Sequence, residues 1–482
     1  MIGFVIAAPF AAALAALPLR NAVRRRWTRI VSALIAALLP SALIGTVDGL
    51  SLVFTALVSC LGLLATLFSI GSFADDFGNG AAGWSRKAVY FVLLGAFWSA
   101  MLLVVLANNF ALLWLGISAT TLATAFLVGF SGEAAALEAA WKYLVLCSVG
   151  IAFALLGLVV LAHVSAAAGL APTEALSWTA IAAHGWTSVP TPARLATALM
   201  IVGFGTKAGL VPMHAWLPDA HSKAPAPISG LLSGVLVSCA LYAIMRTVGT
   251  SAALGVAPFL QDLLTWFGAL SALVAGTLML TQRDLKRLLA YSTVEHAGIV
   301  ALALGFGGPL GWFAALFHVV SHAFAKSAAF FAAGMVQHER RTTMIVDLHG
   351  LWSVGHAGRF VLGALTALSG MPPFGLFVSE SLLVVAGVAA HRWLPLGFGL
   401  LGMALAFAAL SRTAIEIESG RGAHAEARRA SSAAPPVGPL RSWLISGAAA
   451  CALAGAFALV VVPWTRLGAA LQAIASTIGG VR

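Results

Sequence analysis

Long apolar runs constrain this chain more than any other feature of its sequence. About fourteen stretches of mainly apolar residues follow one another along it, and a transmembrane helix needs roughly 20 such residues. Hydrophobic residues make up 61% of the chain and charged residues only 9%, whereas a soluble domain carries about 25% charged residues. A soluble fold could not bury this much apolar surface, so we predict an all-α polytopic membrane protein with about 14 transmembrane helices.

The predicted spans can be read directly from the apolar runs. They lie at about 2–19, 28–46, 49–71, 88–107, 109–131, 141–165, 194–217, 226–248, 254–280, 288–306, 309–336, 359–386, 393–415 and 442–464. The longer polar connections lie at 72–87, 166–193, 337–358 and 416–441. We therefore expect four units: N-terminal transmembrane helices (1–71), a first repeat (72–250), a second repeat (251–415), and a loop with the last helix (416–482).

The basic residues divide unequally between the two sides of the membrane. Five of the 27 Lys and Arg residues fall on one side, and all but two of the others fall on the opposite side. The minority set is Arg194, Arg246, Arg392, Arg466 and Arg482. Because loops rich in Lys and Arg stay in the cytoplasm, the crowded side is predicted to be cytoplasmic and both termini to face outward. The net charge of +11 is then a topology signal and not a nucleic-acid surface.

Two spans carry similar interruptions. Span seven reads GFGTKAGLVPMHAWLP with Pro212 and Pro218, and span twelve reads LSGMPPFGLFVSESLLV with Pro372 and Pro373. Each break lies beside a charged residue, and the two breaks are five spans apart. An odd offset inverts the second unit relative to the first, which is typical of inverted repeats with discontinuous helices. We therefore expect two inverted five-helix repeats with two broken helices.

Titratable residues stand inside several of these spans. Lys207 lies about 20 Å along the helix from Arg194, and a lysine at the bilayer centre costs about 2.5–3.5 kcal/mol on insertion scales. The stretch LFHVVSHAFAKSAAFFAAGMV places His318, His322 and Lys326 four residues apart, so they share one helix face. Histidine is a good proton carrier near neutral pH. The pattern favours a proton relay over packing residues or a metal site.

Further candidates flank this row. Glu380 follows the second break, and His214 lies in the first one. Glu295 and His296 lie two turns into span ten and are candidates for the same pathway. Asp219 and His221 follow the first break and are either pathway neighbours or caps of the broken helix. A cluster at the start of span ten is either topogenic and helix-capping or part of the pathway; its members are Arg283, Asp284, Lys286 and Arg287.

Nothing in the chain builds a redox or hydrolytic centre. The four cysteines are far apart, and they form no CxxC or Cys/His metal spacing. No Gly-rich nucleotide loop, nucleophile elbow or haem-attachment motif is present. We expect no cofactor and no metal in this chain, and we interpret the row of titratable groups as a device for moving protons or alkali cations.

From about Phe73 to Leu410 the chain resembles the antiporter-like subunits of respiratory complex I, membrane-bound hydrogenases and multisubunit cation/proton antiporters. The motifs that carry the resemblance are GTKAGLVPMHAWLPDAHSKAPAPISGLL, DLKRLLAYST, FHVVSHAFAKSAAFFAAG and SGMPPFGLFVSE. The segments STVEHAGI and ALEAAWKYLVLCSVGI are most similar to the hydrogenase-4 branch. The resemblance implies that Lys207 is the lysine of a first half-channel, that the His/Lys row is the central relay, and that Glu380 is the charge of a second half-channel.

Two positions depart from the family pattern. Span five of the family usually carries a glutamate that pairs with the lysine of span seven, but NNFALLWLGISATTL has Ser118 there. Span eight has Ser233 where many relatives have His or Lys. We expect Lys207 to be held by water or another partner, and coupling in the first half to be weakened or altered.

The resemblance implies a proton-translocating membrane subunit of a redox complex in a bacterial or archaeal cytoplasmic membrane. Its expected partners are other membrane subunits and a peripheral redox arm, with iron–sulfur clusters and a nickel–iron or quinone site in those partners. Two alternatives stay open: a subunit of a sodium/proton antiporter without redox chemistry, and a structural membrane anchor that has lost transport.

Overall fold

The computed structural model describes residues 1–17, 22–72, 81–186, 191–351, 356–419, 439–459, 461 and 466–479. Within these ranges the regular structure is helical. The α-helices are α1 (Ile2–Ala15), α2 (Ala22–Leu38), α3 (Gly49–Ser72), α4 (Ala81–Leu106), α5 (Phe110–Val128), α6 (Ala134–Ala167), α7 (Trp178–Ala183), α8 (Thr191–Ala208), α9 (Trp216–Lys223), α10 (Ala226–Leu231), α11 (Val237–Ser251), α12 (Ala257–Met279), α13 (Leu285–Phe306), α14 (Gly308–Arg340), α15 (His356–Leu368), α16 (Gly375–Ala389), α17 (Trp393–Ser419), α18 (Pro439–Ala458) and α19 (Arg466–Gly479).

The polytopic all-α fold predicted from the apolar runs is confirmed. In the described part of the chain, 11 helical segments are long and apolar enough to cross a membrane. The remaining predicted spans correspond to the shorter helix α1 and to two interrupted units, α8–α9 and α15–α16. The inverted relation between the two halves stays a prediction.

Several predicted connections are partly helical. The predicted connection 166–193 contains α7, and α4 and α6 begin seven residues before the predicted starts of their spans. Helix α14 continues to Arg340, beyond the predicted end of its span, and its last turn is polar. Most of the predicted loop 416–441, residues 420–438, lies outside the described residues.

Burial separates central helices from peripheral ones. In α13 and α14 the most apolar 18-residue windows are 94% and 89% buried inside the protein, and the window spanning α10 and α11 is fully buried. The corresponding windows of α6 and α17 are only 39% buried. Because lipid is as apolar as a protein core, the outer helices can expose leucine and phenylalanine, whereas polar residues concentrate in the central helices.

Small residues allow α6 and α8 to pack closely. A Cβ atom added to Gly203 of α8 would lie 2.5 Å from the Ala154 nitrogen and 2.6 Å from the Gly150 oxygen of α6. Likewise, a Cβ atom added to Gly157 of α6 would lie 2.6 Å from the Ala196 carbonyl oxygen of α8. Close backbone approach through small residues is a general device of membrane helices, and here it fixes the position of the helix that carries Lys207.

Both breaks have the same local cause. Helices α8 and α15 end at Ala208 and Leu368, and a glycine with positive φ follows shortly after each: Gly209 at +79° and Gly370 at +67°. Glycine adopts this left-handed conformation without steric cost and commonly ends helices. The prolines that come next lack the N–H that a continuing helix needs, so the predicted broken helices are confirmed.

Candidate functional site

Lys207 is buried at the end of α8 and is held by hydroxyl groups. Its Nζ donates to the Tyr143 hydroxyl of α6 at 2.5 Å and to Thr121 Oγ1 of α5 at 2.9 Å. The Nζ also lies 4.6 Å from the centre of the Tyr143 ring and 6.0 Å from that of Trp216. Hydroxyl oxygens and aromatic faces therefore surround a lysine that has no carboxylate within ion-pair distance among the described residues.

Thr121 and Tyr143, and not Ser118, are the α5 and α6 residues that hold Lys207. Ser118 Oγ donates to its own helix, at the Trp114 carbonyl 2.9 Å away, and it makes no hydrogen bond to Lys207. Thr121, one turn further along α5, makes that bond instead. Tyr143 carried no sequence signal, because a tyrosine in an apolar span is usually a packing residue.

His221 occupies the space between Lys207 and the row on α14. Its ring stacks on Trp216 and Phe330, with centroids 6.4 and 5.4 Å away. Both ring nitrogens are buried without a hydrogen-bond partner among the described residues. His221 lies within electrostatic range of Lys286 and Lys326, so it belongs to the row of titratable groups.

The capping role considered for Asp219 and His221 is wrong. The N-cap of α9 is Ala215, and no side chain caps it. Asp219 instead forms ion pairs with Arg287 of α13, at 2.8 Å, and with Lys142 of α6, at 3.3 Å. The Asp219 carboxylate therefore links α9 to both α13 and α6. The sequence does not reveal these contacts, because the two cations lie on other helices.

The charged cluster at the start of α13 divides in two. Asp284 is the N-cap, and its Oδ1 accepts from the Arg287 N–H at 2.9 Å, as the helix-capping interpretation predicted. Lys286 is only 2% exposed and donates to the Ala224 carbonyl at 2.7 Å. The sequence does not single it out from this cluster, because neighbouring charges suggest a solvated face.

A cavity of about 700 Å³ opens beside this cluster. Its wall includes Ala224, whose carbonyl accepts from Lys286, and Asp284. Lys223, Arg287 and Glu339 also line it. The cavity therefore adjoins Ala224, whose carbonyl accepts from the buried Lys286.

Lys326 lies at the centre of the protein and is fully buried. Its Nζ donates to the Leu289 carbonyl at 2.8 Å and to Ser292 Oγ at 2.7 Å, both on α13. Its partners, like those of Lys207, are neutral. Glu295 is close enough to Lys326 to interact with it electrostatically. The two side chains are not within the 4.0 Å that defines an ion pair.

Three histidines form a cluster between α13 and α14. His296 Nδ1 and His318 Nε2 are 3.1 Å apart, and the ring centres of His296 and His322 are 5.0 Å apart. His318 and His322 stack with ring centres 6.4 Å apart. His318 Nδ1 also lies 2.9 Å from Ser379 Oγ of α16, so the cluster reaches the second broken helix.

Glu295 and Glu380 are the two carboxylate side chains near the histidine cluster. Glu295 is 2% exposed, and its Oε2 lies 3.5 Å from His296 Nε2. Glu380 lies within electrostatic range of Glu295 and lines a second cavity, of about 410 Å³, together with Ser369 and Met403. Lys326, the histidines and Glu295 are thus buried together between α13 and α14, and Glu380 lies beside Ser379 at the edge of this cluster.

Two predicted residues stand apart. His214 is half-buried in the first break, and among the described residues no hydrogen bond joins it to Lys207 or to the α14 histidines. Ser233 lies in a π-helical turn, Leu232–Leu236, and its hydroxyl is 2.7 Å from Thr293 Oγ1. A π-turn of this kind is frequent at functional sites.

No metal site is evident in the described ranges. They hold no group of three or more His, Cys, Asp or Glu side chains placed to bind a metal ion. The two hydrogen-bond contacts of the histidine cluster join His296 to His318 and His318 to Ser379.

Comparison with known proteins gives a consistent family. A model described as NADH:quinone oxidoreductase/Mrp antiporter, transmembrane, matches residues 107–406. The hydrogenase-4 component F homolog of Methylacidiphilum infernorum (isolate V4) is 37% identical over 379 residues, which are 78% of this chain and 79% of that protein. NADH-quinone oxidoreductase subunit N of Desulforudis audaxviator is 31% identical over 352 residues, 72% of this chain and 68% of that protein.

An antiporter relative matches less of its own length. A probable K(+)/H(+) antiporter component of Rhizobium meliloti is 29% identical over 72% of this chain but only 33% of that protein.

Two solved structures show the same fold. A chain of the membrane-bound sulfane sulfur reductase, an archaeal respiratory membrane complex, superposes with a TM-score of 0.84 at 21% identity, over 100% of this chain and 98% of that one. A chain of respiratory complex I from Thermus thermophilus gives 0.77 at 23% identity, over 98% and 100%.

Proposed function

The chain belongs to the NADH:quinone oxidoreductase/Mrp antiporter family of membrane proteins, and from this premise we propose that it is a proton-translocating membrane subunit of a multisubunit redox complex. The complex would be of the hydrogenase-4-like or NADH-quinone-oxidoreductase-like kind. One observation carries the proposal: buried titratable groups follow one another from Lys207 through His221 and Lys326 to Glu295, near Glu380. Ionisable residues inside a membrane protein mark ion or proton pathways.

Protons would enter from the side that carries most of the Lys and Arg residues. The cavity lined by Asp284 and Arg287 supports this route, because its wall includes Ala224, whose carbonyl accepts from the buried Lys286 ammonium. His221 has two unpartnered nitrogens among the described residues and would pass protons to Lys326 through water, since buried polar atoms require partners. The units 72–250 and 251–415 would each form a half-channel.

The redox chemistry would lie outside this chain. The relatives include a hydrogenase-4 component and an NADH-quinone oxidoreductase subunit, which supports partner membrane subunits and a peripheral redox arm. Iron–sulfur clusters and a nickel–iron or quinone site would belong to those partners. The complex would sit in a bacterial or archaeal cytoplasmic membrane with both termini of this chain facing outward.

Proton uptake by the purified complex in proteoliposomes tests the proposal. Lys326→Gln removes the central ammonium while keeping most of the length of the side chain, and we expect it to abolish reductant-driven uptake. Arg392→Gln is the control, because Arg392 is an exposed cation in a surface ion pair with Asp262. Wild-type uptake by Lys326→Gln in an assembled complex would contradict the proposal.

The alternatives have separate readouts. A sodium/proton antiporter subunit would exchange ions without reductant, driven by an imposed sodium gradient, and would co-purify without iron or nickel. A structural anchor would lose subunits from the complex when Lys326 is replaced, with no change in uptake per assembled complex. Metal analysis and mass spectrometry of a tagged complex therefore come first.

A further inference from the structure

A short hydrogen-bonded chain joins the second broken helix to the histidine cluster. Ser379 Oγ lies 2.9 Å from His318 Nδ1, and His318 Nε2 lies 3.1 Å from His296 Nδ1. All three side chains are at most 1% exposed. Each contact joins two atoms that can act as donor or acceptor, so the position of one hydrogen decides the others.

The serine decides that position. Ser379 Oγ also lies 2.8 Å from the Leu376 carbonyl oxygen, which can only accept. A hydroxyl has one hydrogen, and if Ser379 donates it to Leu376, the oxygen can only accept from His318. A neutral His318 then carries its proton on Nδ1, its Nε2 is a lone pair, and that lone pair accepts from Nδ1–H of His296.

If the hydrogen bonds ran in the opposite direction, the chain would end at His296 Nε2, where no acceptor is comparable to the Leu376 carbonyl. His296 Nε2 makes no hydrogen bond among the described residues; Glu295 Oε2 is 3.5 Å away and the Leu368 backbone is nearby. Reversing the chain would move the Ser379 hydrogen off the Leu376 carbonyl and leave the His296 Nε2–H only the Leu368 backbone and Glu295 Oε2, neither of which meets it in a hydrogen bond of good geometry. The contact between Ser379 and Leu376 therefore favours the arrangement in which His318 donates to Ser379 and His296 donates to His318.

We propose that Ser379 is a positioning residue that holds His318 and His296 in their Nδ1-protonated tautomers and so leaves a lone pair on His296 Nε2, facing Glu295. The proposal rests on the proposed proton-translocating function and deepens it. It assigns a direction to the part of the pathway that lies between α13 and α16.

The proton step that follows is balanced. Protonated Glu295 would give its proton to His296 Nε2 when a small side-chain movement or a water molecule closes the 3.5 Å between Oε2 and that nitrogen, and His296 would release its Nδ1 proton to His318 Nε2. The products are a Glu295 carboxylate, a neutral His296 with the proton on Nε2, and a His318 imidazolium whose Nδ1–H still donates to Ser379. One proton has moved toward α16 and has left a negative charge on Glu295 and a positive charge on His318, and His296 must return to its first tautomer before the next transfer.

Nitrogen-15 NMR of the histidine-labelled complex tests the tautomer directly. The chain has 12 histidines, and comparison with a His318→Gln sample assigns the resonances of His318. We expect wild-type His318 to be protonated on Nδ1 in its neutral form. A wild-type His318 protonated on Nε2 would overturn the proposal, and this result needs no Ser379 variant to fold.

Variants of Ser379 separate positioning from structural support. Ser379→Ala should release His318 into a tautomer mixture and slow uptake by roughly fivefold, about the worth of one hydrogen bond, whereas Ser379→Thr should keep both. Thr277→Ala is the control, since Thr277 lies on the exposed side of α12 and donates to the Leu273 carbonyl. An unchanged tautomer in Ser379→Ala overturns the proposal. If Lys326→Gln leaves uptake intact while His318 keeps Nδ1–H, the proposed function fails and the tautomer assignment stands.

Discussion

The Lys207 ammonium donates to the hydroxyl of Tyr143, 2.5 Å away, across the contact between α8 and α6. The hydroxyl accepts from the lysine, and its oxygen is also 2.5 Å from Thr124 Oγ1. A network of neutral hydroxyl groups therefore contacts the Lys207 ammonium. Lys207 gains hydrogen bonds there, but no opposite charge that would hold its proton.

Replacing Tyr143 by Phe should slow proton uptake by roughly tenfold, because a hydrogen bond to a charged group is worth about 1.5–3 kcal/mol and the ring packing stays. The measurement is reductant-driven uptake in proteoliposomes. Tyr90→Phe is the control: Tyr90 is also buried, with its hydroxyl 2.9 Å from Ser69 Oγ on α3, away from the row. Equal loss in both variants would mean that the effect is structural.

Ser118→Glu should alter coupling in the first half, because a carboxylate one turn from Thr121 would supply the missing opposite charge and hold the proton on Lys207. Ser118→Gln adds similar bulk without the charge and should behave nearly as wild type. Initial rates of proton uptake per electron pair measure the coupling. If Lys207→Ala abolishes uptake while Ser118→Glu leaves it unchanged, this expectation is wrong. Full uptake in Lys207→Ala would indicate an inactive first half.

Gly203→Ala should destabilise the protein and lower uptake together. The added methyl group would meet Ala154 and Gly150 backbone atoms at 2.5–2.6 Å, so α8 must move away from α6 and displace Lys207 from Tyr143. Overpacking of this kind costs about 1–3 kcal/mol. Gly447→Ala on α18 is the control, because nothing lies within 4 Å of its added Cβ. Thermal unfolding in detergent should show a lower Tm for Gly203→Ala only.

Asp48 and Arg246 should contribute stability that depends on pH. Burial raises the pKa of Asp48. The Arg246 guanidinium, whose nitrogen lies 2.6 Å from Asp48 Oδ2, and the hydrogen bonds from Ser51 lower it, and together they outweigh burial, so the pKa is lowered overall. A lowered pKa means that the pair stabilises the fold above the ordinary aspartate pKa of about 3.9 and that this stabilisation is lost as the pH falls below it.

Asp48→Asn should therefore lower the Tm at pH 7 and have little effect near pH 3. Because Asp48 is 49% exposed, we expect at most about 1 kcal/mol. Asp262→Asn is the control for a surface ion pair, since Asp262 pairs with Arg392 while both side chains are largely exposed. A pH-independent Tm difference would argue against the electrostatic origin.

The amino-acid sequence by itself determined the membrane class, the spans, the breaks and the row on α14. Those properties depend on local chemistry: apolar length sets a span, glycine and proline end a helix, and a four-residue spacing sets a helix face. Residues 318, 322 and 326 could be placed on one face before any contact was known.

Only the tertiary structure decided which side chains meet. Tyr143 and Lys207 are 64 positions apart, and His318 and Ser379 are 61 apart, so their contacts depend on how each helix is rotated and how closely it packs. Those rotations follow from backbone approach at residues such as Gly203, which no periodicity encodes. For the same reason His221, Lys286 and Ser379 are indistinguishable in sequence from caps, surface charges and packing residues, and they are recognisable only in the folded protein.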